Sequence, residues 1–255
     1  KNSENYPVGN TKMRVLDIAK NVDRLEAIKL SDFIRKPVSS PKDCILILNK
    51  GCFQFDKQIF SLVEKGYTLI ADIIDHRPDS WLFSKMDGLI SSSASQHAYF
   101  KSLTNKPVWY IIHGYDSDFS LTTPPDEFKL CYLGASDSVG NHRLLIKHMD
   151  WINSCDWFVD EYWTDSWWDE LPHKEKVLMR KRIDGEWSNI VQKFVKEPTQ
   201  EWKNRVKDYS CHWGCRYYDA YAPFKPFTKG FTASVFQSPI LVDSFNYDAR
   251  YYLPE

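Results

Sequence analysis

The stretch Cys44-Ile-Leu-Ile-Leu-Asn49 decides the fold class, because it is a short and nearly continuous apolar run. Runs of this length and composition are typical of a strand that is covered on both faces within a parallel sheet. Residues 54–65 follow with apolar side chains at helical spacing, and Gly66 is a favourable residue to end that helix. The sequence therefore predicts a strand followed by a helix, the unit from which α/β folds are built.

The same alternation continues toward the C-terminus in two series. Before residue 116, further strands are predicted over residues 67–74, 87–91 and 107–113, and helices over 81–85 and 95–103. Residues 116–126 are polar and contain Thr122-Thr-Pro-Pro-Asp126, which is typical of a linker. After the linker, strands are predicted over 128–134, 156–160, about 209–218 and 239–243, and helices over 142–152, 172–207 and 228–236.

Two such series predict an α/β protein with two Rossmann-like domains facing a cleft. The boundary falls near residue 122. We expect an N-terminal domain over residues 1–122 and a C-terminal domain over residues 123–255. No Gly-x-Gly-x-x-Gly and no P-loop motif is present, so simple dinucleotide-binding and P-loop folds lack their usual phosphate loop.

Composition excludes several classes of protein. The formal net charge of −1 over 255 residues argues against a nucleic-acid partner, which would favour a broad basic surface. No stretch approaches the roughly 20 apolar residues that span a bilayer, so at most a peripheral membrane contact is expected. The six cysteines are scattered, and only Cys211 and Cys215 lie close together in sequence. Reduced thiols, no zinc site and a cytoplasmic location are the resulting expectations.

The segment Lys225-Pro-Phe-Thr-Lys-Gly-Phe-Thr232 has the composition of an anion-binding helix start. Thr228 can cap a helix, and the first amides of a helix attract anions together with the helix dipole. Lys225 and Lys229 add two positive charges beside that point, and Gly230 lets another group approach closely. A solvated surface helix is the alternative interpretation of the same residues.

Three motifs resemble those of GT-B glycosyltransferases and occur in the right order. Pro226-Phe-Thr-Lys229, followed by Ser238-Pro-Ile-Leu-Val242, resembles the Pro-Thr-Lys stretch and the strand after it. Ile111-Ile-His-Gly-Tyr-Asp116, with Phe119, resembles the stretch that ends the first GT-B domain. Tyr132-Leu-Gly134 resembles the glycine turn that opens the second domain. The first 105 residues resemble this family only in their alternation.

The resemblance implies transfer of a sugar from a nucleoside diphosphate donor to a glycan or another hydroxyl acceptor. A UDP-sugar is the commonest donor type. Neither a metal nor another cofactor is expected. Many retaining members carry a Glu near the position of Thr232, so the usual role of that carboxylate does not transfer to this chain. The residues implied to bind the donor are Gly134, Ser136, Lys225, Thr228, Lys229 and Thr232.

A general base is expected at the carboxyl end of a strand in the first domain. Asp75 and His76 directly follow one predicted strand, and Asp75 could act as the base or orient His76. His113 ends another predicted strand beside Gly114. Structural roles, as a loop cap for the Asp-His pair and as a hinge for His113, are the alternatives.

Two other functions stay open. Asp116-Ser-Asp118 is an Asp-x-Asp motif, with which a metal-dependent GT-A glycosyltransferase would hold Mn²⁺ or Mg²⁺. A non-catalytic protein that binds a nucleotide or a carbohydrate could use the same two-lobed fold without turning over the donor. No Gly-x-Ser-x-Gly motif supports a hydrolase.

Overall fold

A computed structural model describes residues 12–37, 39–74, 80–131, 206–216, 218 and 220–253. Over these residues the protein is of the mixed α/β class with parallel sheets, as the alternation predicts. It divides into two compact units. The first comprises Lys1–Ser117, Ala220–Thr228 and Tyr247–Glu255, and the second comprises Asp118–Asp219 and Lys229–Asn246.

The first unit contains a four-stranded parallel sheet in which the strands lie in sequence order. Helices connect successive strands, and two short helices, α1 (Asp17–Asn21) and α2 (Leu30–Arg35), precede the sheet. A π-helical turn, Lys12–Leu16, leads into α1. The strands and connecting helices are β1 (Ile45–Asn49), α3 (Asp56–Glu64), β2 (Thr68–Ile73), α4 (Ser80–Lys85), β3 (Gly88–Ser91), α5 (Ala94–Leu103) and β4 (Val108–Tyr110).

One face of this sheet forms the core with helices α3 to α5. Alternate residues of a strand point to opposite faces, so Leu69, Ala71 and Ile73 of β2 lie on the same face. All three are fully buried. They belong to one apolar cluster that also includes Ile59 of α3 and Phe100 of α5. Burial of this face fixes the register of β2 against its neighbours, because a slip of one residue would turn these side chains away from the helices.

The second unit contains a three-stranded parallel sheet in the order β5 (Leu130–Cys131), β6 (Cys211–Trp213), β7 (Ile240–Leu241). Helix α6 (Thr228–Val235) precedes β7 and is joined to it by a turn in which Gln237 has a φ of 51°. The boundary between the two units falls between Thr228 and Lys229, within the first turn of α6.

The predicted elements that lie within the described residues are present, with shorter strands than expected. Gly66 has a φ of +81°, which confirms its predicted role at the end of α3. The predicted strand 107–113 is wrong beyond Tyr110. The carbonyl oxygens of Ile111 and Ile112 accept hydrogen bonds from the guanidinium group of Arg14, at 2.9 and 3.3 Å. The side chain of Arg14 therefore supplies the hydrogen bonds to these two carbonyl groups that a neighbouring strand would otherwise supply.

The prediction that β1 is covered on both faces is also wrong. Ile45 and Ile47 are 61% and 46% exposed, whereas Leu48 on the other face is buried. β1 is an edge strand of the sheet formed by the described residues, and helices α3 to α5 pack against the face that carries Leu48. The apolar run of β1 predicts that both faces of the strand are buried. Within the described residues, only the face that carries Leu48 is buried.

The predicted elements 142–152 and 156–160, almost all of 172–207 and the end of 128–134 lie outside the described residues. Among the helices of the described ranges, none is both long and apolar enough to span a membrane.

Candidate functional site

Helix α6 begins at Thr228, in the segment that the sequence singles out. The hydroxyl group of Thr228 donates a hydrogen bond to the carbonyl oxygen of His113 at 3.4 Å. Thr228 is the first residue of the helix rather than the residue before it, so the predicted capping role of Thr228 is wrong. The structure does bring together two of the predicted site residues, since the backbone of His113 contacts the side chain of Thr228.

A carboxylate from a distant part of the chain lies at the start of α6 instead. Asp248 is 1% exposed and accepts a hydrogen bond from the amide of Phe227, immediately before the helix, at 2.7 Å. Its other oxygen accepts one from the amide of Ala94, the first residue of α5, at 2.8 Å. One side chain thereby holds the starts of two helices, where a negative charge is favourable. No local pattern in the sequence indicates this role.

His113 is buried, with 6% of its surface exposed. It follows Ile111 and Ile112 beyond the end of β4 rather than ending a strand, because the ladder of β4 stops at Tyr110. Burial and the contact of its carbonyl with Thr228 fit the hinge role as well as a catalytic one.

Lys225 and Lys229 lie on different elements. Lys225 follows the short 3-10 turn Ala222–Phe224 and is half-buried. Lys229 lies in the first turn of α6, and its ammonium nitrogen is fully buried. Thr232 is 6% exposed and follows Lys229 by three residues, so the two side chains lie on neighbouring positions of one helix face. A positive charge in the first turn adds to the attraction that the amides and the dipole of a helix start have for an anion.

His212 of β6 is a buried neighbour of Lys229 that sequence reasoning missed. It is 2% exposed, and its ring is nearly parallel to that of Phe236, with 6.1 Å between the centroids. Burial, with a further contribution from the positive charge of Lys229, lowers the pKa of His212 to about 4. The imidazole is therefore neutral at physiological pH. A single histidine in a short apolar stretch gives no sequence signal for this environment.

The residues that follow β6 contact Asp243, which follows β7. Asp243 accepts a hydrogen bond from the amide of Arg216 at 2.5 Å. Burial and the negative charge of Asp243 raise the pKa of the Cys215 thiol to about 11. Cys211 and Cys215 are both free thiols. A protonated thiol is a poor nucleophile, so this environment does not activate Cys215.

The Asp-x-Asp motif is engaged in an ion pair with another part of the chain. Asp116 accepts a hydrogen bond from the ammonium group of Lys12 at 2.6 Å and is 9% exposed. The same ammonium group contacts Asp17 at 3.2 Å. Within the described residues, no group of three or more His, Cys, Asp or Glu side chains is arranged to hold a metal ion. Four predicted site residues, Asp75, His76, Gly134 and Ser136, lie outside the described residues.

The sequence matches no protein-family model, and comparison with curated proteins finds no match. Its fold does have similar solved structures. A crystal structure of TarM is 14% identical with a TM-score of 0.55, and one of an S. aureus TarM mutant in complex with fondaparinux, alpha-GlcNAc-glycerol and UDP is 13% identical with a TM-score of 0.56. The chain has a TarM-like fold. TarM is a GT-B glycosyltransferase, so the resemblance of residues 111–243 to that family is confirmed at the level of the fold.

Both TarM alignments cover 89% of this chain and 46% of the TarM chain. The chain therefore spans about half the length of TarM. A third similar structure, the glycosylation associate protein Gap123 complex from Streptococcus agalactiae, is 15% identical over 84% of this chain and 45% of that one, with a TM-score of 0.44.

The low pKa of His212 predicts that the second unit loses stability in acid. The folded protein binds the proton of His212 less readily than the unfolded chain, whose ordinary pKa is 6.5. The stabilisation is therefore complete above about pH 6.5 and is lost as the pH falls toward 4. The difference of about 2.5 pKa units corresponds to about 3 kcal/mol. We expect His212→Gln to lose less free energy of unfolding than the wild type between pH 7 and pH 4, measured by urea denaturation.

A second variant tests the physical cause. Lys229→Met removes the positive charge that helps to lower the pKa of His212, so that pKa should rise. The loss of unfolding free energy between pH 7 and pH 4 should then be smaller than in the wild type. An equal loss of stability between pH 7 and pH 4 in wild type and His212→Gln would show that His212 stays unprotonated or is solvated in acid.

Proposed function

We propose that the protein is a metal-independent glycosyltransferase of GT-B architecture. In this proposal, residues 1–122 form an acceptor-side Rossmann-like domain and residues 123–255 form a donor-side one, and the two face a cleft. A sugar is transferred from a nucleoside diphosphate donor, for which UDP-sugars are the first to test, to a hydroxyl group of a glycan or another acceptor. The protein acts in the cytoplasm, with at most a peripheral contact with a membrane.

The observation that carries this proposal is the position of Lys229 in the first turn of α6. A cation at a helix start is what a metal-independent transferase needs to stabilise a departing diphosphate. The neutral imidazole of His212 nearby adds no competing charge. A TarM-like fold supports the same interpretation, since one TarM crystal contains UDP and alpha-GlcNAc-glycerol.

The proposed reaction breaks the bond between the anomeric carbon and the diphosphate oxygen and forms a bond to the acceptor oxygen. The diphosphate leaves with the electron pair, and the acceptor proton passes to a general base. Asp75, His76 and His113 remain the candidate bases. The proposed donor-binding residues are Gly134, Ser136, Lys225, Thr228, Lys229 and Thr232. Thr232 carries no charge, so this chain does not use a carboxylate there.

A metal-dependent GT-A enzyme is the less favoured candidate, because Asp116 of the Asp-x-Asp motif is bound to Lys12 at 2.6 Å. A metal would have to replace that ammonium group. A non-catalytic nucleotide-binding or carbohydrate-binding protein would share the donor site and lack turnover.

Two measurements on the full chain separate these functions. We expect millimolar UDP to raise the thermal midpoint, because a ligand that binds only the folded state stabilises it. The increase should be the same with and without EDTA. We further expect slow hydrolysis of a UDP-sugar by the purified protein. Loss of the midpoint shift on adding EDTA would favour the GT-A enzyme, and a shift without hydrolysis or transfer would favour the binding protein.

A further inference from the structure

Two exposed aromatic side chains of the second unit, Tyr218 and Phe245, lie in contact with each other. Their ring centroids are 5.4 Å apart, and the ring planes are tilted by 56°. Tyr218 is 53% exposed and Phe245 is 51% exposed, so a ligand can reach both rings. We call these two residues the aromatic pair. They belong to the same unit as Lys229 of the proposed donor site.

The aromatic pair lies beyond the carboxyl ends of two neighbouring parallel strands. Trp213, the last residue of β6, is in register with Leu241, the last residue of β7. The amide of Gly214 donates a hydrogen bond to the carbonyl oxygen of Leu241 at 2.7 Å, so the two segments continue side by side past the sheet. Ligands of parallel α/β sheets bind at this edge, outside the carboxyl ends of the strands.

Asp243 holds the two segments that carry the aromatic pair. One of its carboxylate oxygens accepts a hydrogen bond from the amide of Arg216, two residues before Tyr218, at 2.5 Å. The other oxygen accepts one from the amide of Phe245 at 2.9 Å. These contacts fix the backbone at or just before each ring. A ligand that binds the rings therefore loses little free energy to the ordering of these segments.

Lys229 lies at the same edge of the sheet as the aromatic pair. Helix α6 ends at Val235, and the turn at Gln237 leads directly into the amino end of β7. The helix therefore runs opposite to the strands, which places its first turn at their carboxyl ends. The charges of both units of the edge act on one thiol, since Asp243 raises and Lys229 lowers the pKa of Cys215. An anion at Lys229 and a flat group on the aromatic pair would thus share this edge.

We propose that the aromatic pair stacks on the nucleobase of the donor while the diphosphate lies at Lys229. This inference rests on the proposed function and names the residues that distinguish a nucleotide from a simple phosphate anion. Nucleobases stack on aromatic side chains, and loss of such a contact weakens binding about tenfold. Because every base has a flat face, the aromatic pair adds affinity for a nucleotide without selecting uracil.

The test measures the binding of UDP and of pyrophosphate to the full chain by isothermal titration calorimetry. Pyrophosphate carries the diphosphate group without a base. We expect the double variant Tyr218→Leu with Phe245→Leu to bind UDP about tenfold or more weakly, because both rings are lost while apolar side chains remain. Its affinity for pyrophosphate should stay within about twofold of the wild type. Each single variant should show part of the same selective loss.

Phe128→Leu is the matched control. Phe128 is 55% exposed and belongs to the same unit, but it precedes β5 and so lies at the amino end of the parallel sheet. The substitution should leave the affinities for UDP and pyrophosphate within about twofold of the wild type. Tyr218→Phe keeps the ring and should bind UDP as tightly as the wild type does.

Three results would overturn the proposal. The first is wild-type affinity for UDP in the double variant, given unchanged circular dichroism. The second is an equal loss of affinity for pyrophosphate, which would mean that the rings support the phosphate site rather than bind the base. The third is an equal loss of UDP binding in Phe128→Leu, which would indicate non-specific binding to exposed aromatic side chains.

Failure of the proposed function would give a different result. If the wild type binds neither UDP nor pyrophosphate at millimolar concentration, the donor site is wrong and the role of the aromatic pair is wrong with it. If the double variant binds and hydrolyses a UDP-sugar as the wild type does, the proposed function stands and only the role of the aromatic pair is wrong.

Discussion

Replacement of Lys229 should weaken the binding of UDP by about 10- to 100-fold, because hydrogen bonds to charged groups contribute about 1.5–3 kcal/mol. The ammonium nitrogen of Lys229 is buried in the first turn of α6, where loss of the charge also removes the attraction for a diphosphate. Two variants are needed. Lys229→Ala removes the whole side chain, whereas Lys229→Met keeps an apolar stem and isolates the effect of the charge. Isothermal titration calorimetry with UDP measures both.

Lys207→Met is the matched control. Lys207 lies in the same unit, in the 3-10 turn Val206–Asp208, and is exposed. The substitution changes the net charge by the same amount and should leave the affinity for UDP within about twofold of wild type. Unchanged affinity in both Lys229 variants would remove the donor site from α6. An equal loss in Lys207→Met would mean that the effect comes from net charge.

Removing one partner of the buried ion pair between Arg14 and Asp72 should strongly destabilise the first unit. The two side chains are 3% and 6% exposed. Asp72→Ala leaves the Arg14 guanidinium buried without its carboxylate, and we expect a loss of about 3–5 kcal/mol. That is a large part of the roughly 5–15 kcal/mol that stabilises a typical protein. Urea denaturation followed by tryptophan fluorescence measures the free energy of unfolding.

The ion pair of α2 gives the comparison. Arg35 and Asp32 are 3.1 Å apart, but their side chains are 81% and 50% exposed. Asp32→Ala should cost less than about 1 kcal/mol, because solvent screens an exposed pair. Replacing both buried partners, as Arg14→Met with Asp72→Leu, should recover part of the loss, since no charge is then left unpaired. Similar losses of unfolding free energy in Asp72→Ala and Asp32→Ala would show that burial does not increase the cost of breaking the Arg14–Asp72 pair.

Much of the fold could be predicted because its signals are local. The apolar run of β1, the helical spacing in α3 and the glycine that ends α3 each occur within a few residues. The lysine-rich segment around Lys229 was also visible, since helix starts have a characteristic composition. The short helices α1 and α2 were missed because neither has enough turns to establish a period.

The surroundings of the candidate site could not be predicted in the same way. Asp248 holds the amides of Ala94 and Phe227, which are 154 and 21 residues away in sequence. His212 becomes neutral because it is buried beside Lys229, 17 positions further along the chain. Asp72 of β2 is bound by Arg14, which lies 58 residues earlier in the chain.

The sequence by itself determined strands β1 to β3, helices α3 and α5, the α/β class and the position of a positive charge at the start of α6, because each depends on the order of neighbouring side chains. The tertiary structure decided that Asp248 rather than Thr228 holds that helix start. It also decided that Asp72 is neutralised by Arg14 and that one face of β1 is exposed within the described residues. Burial and long-range hydrogen bonds set these features, and both depend on residues that the chain brings together only after folding.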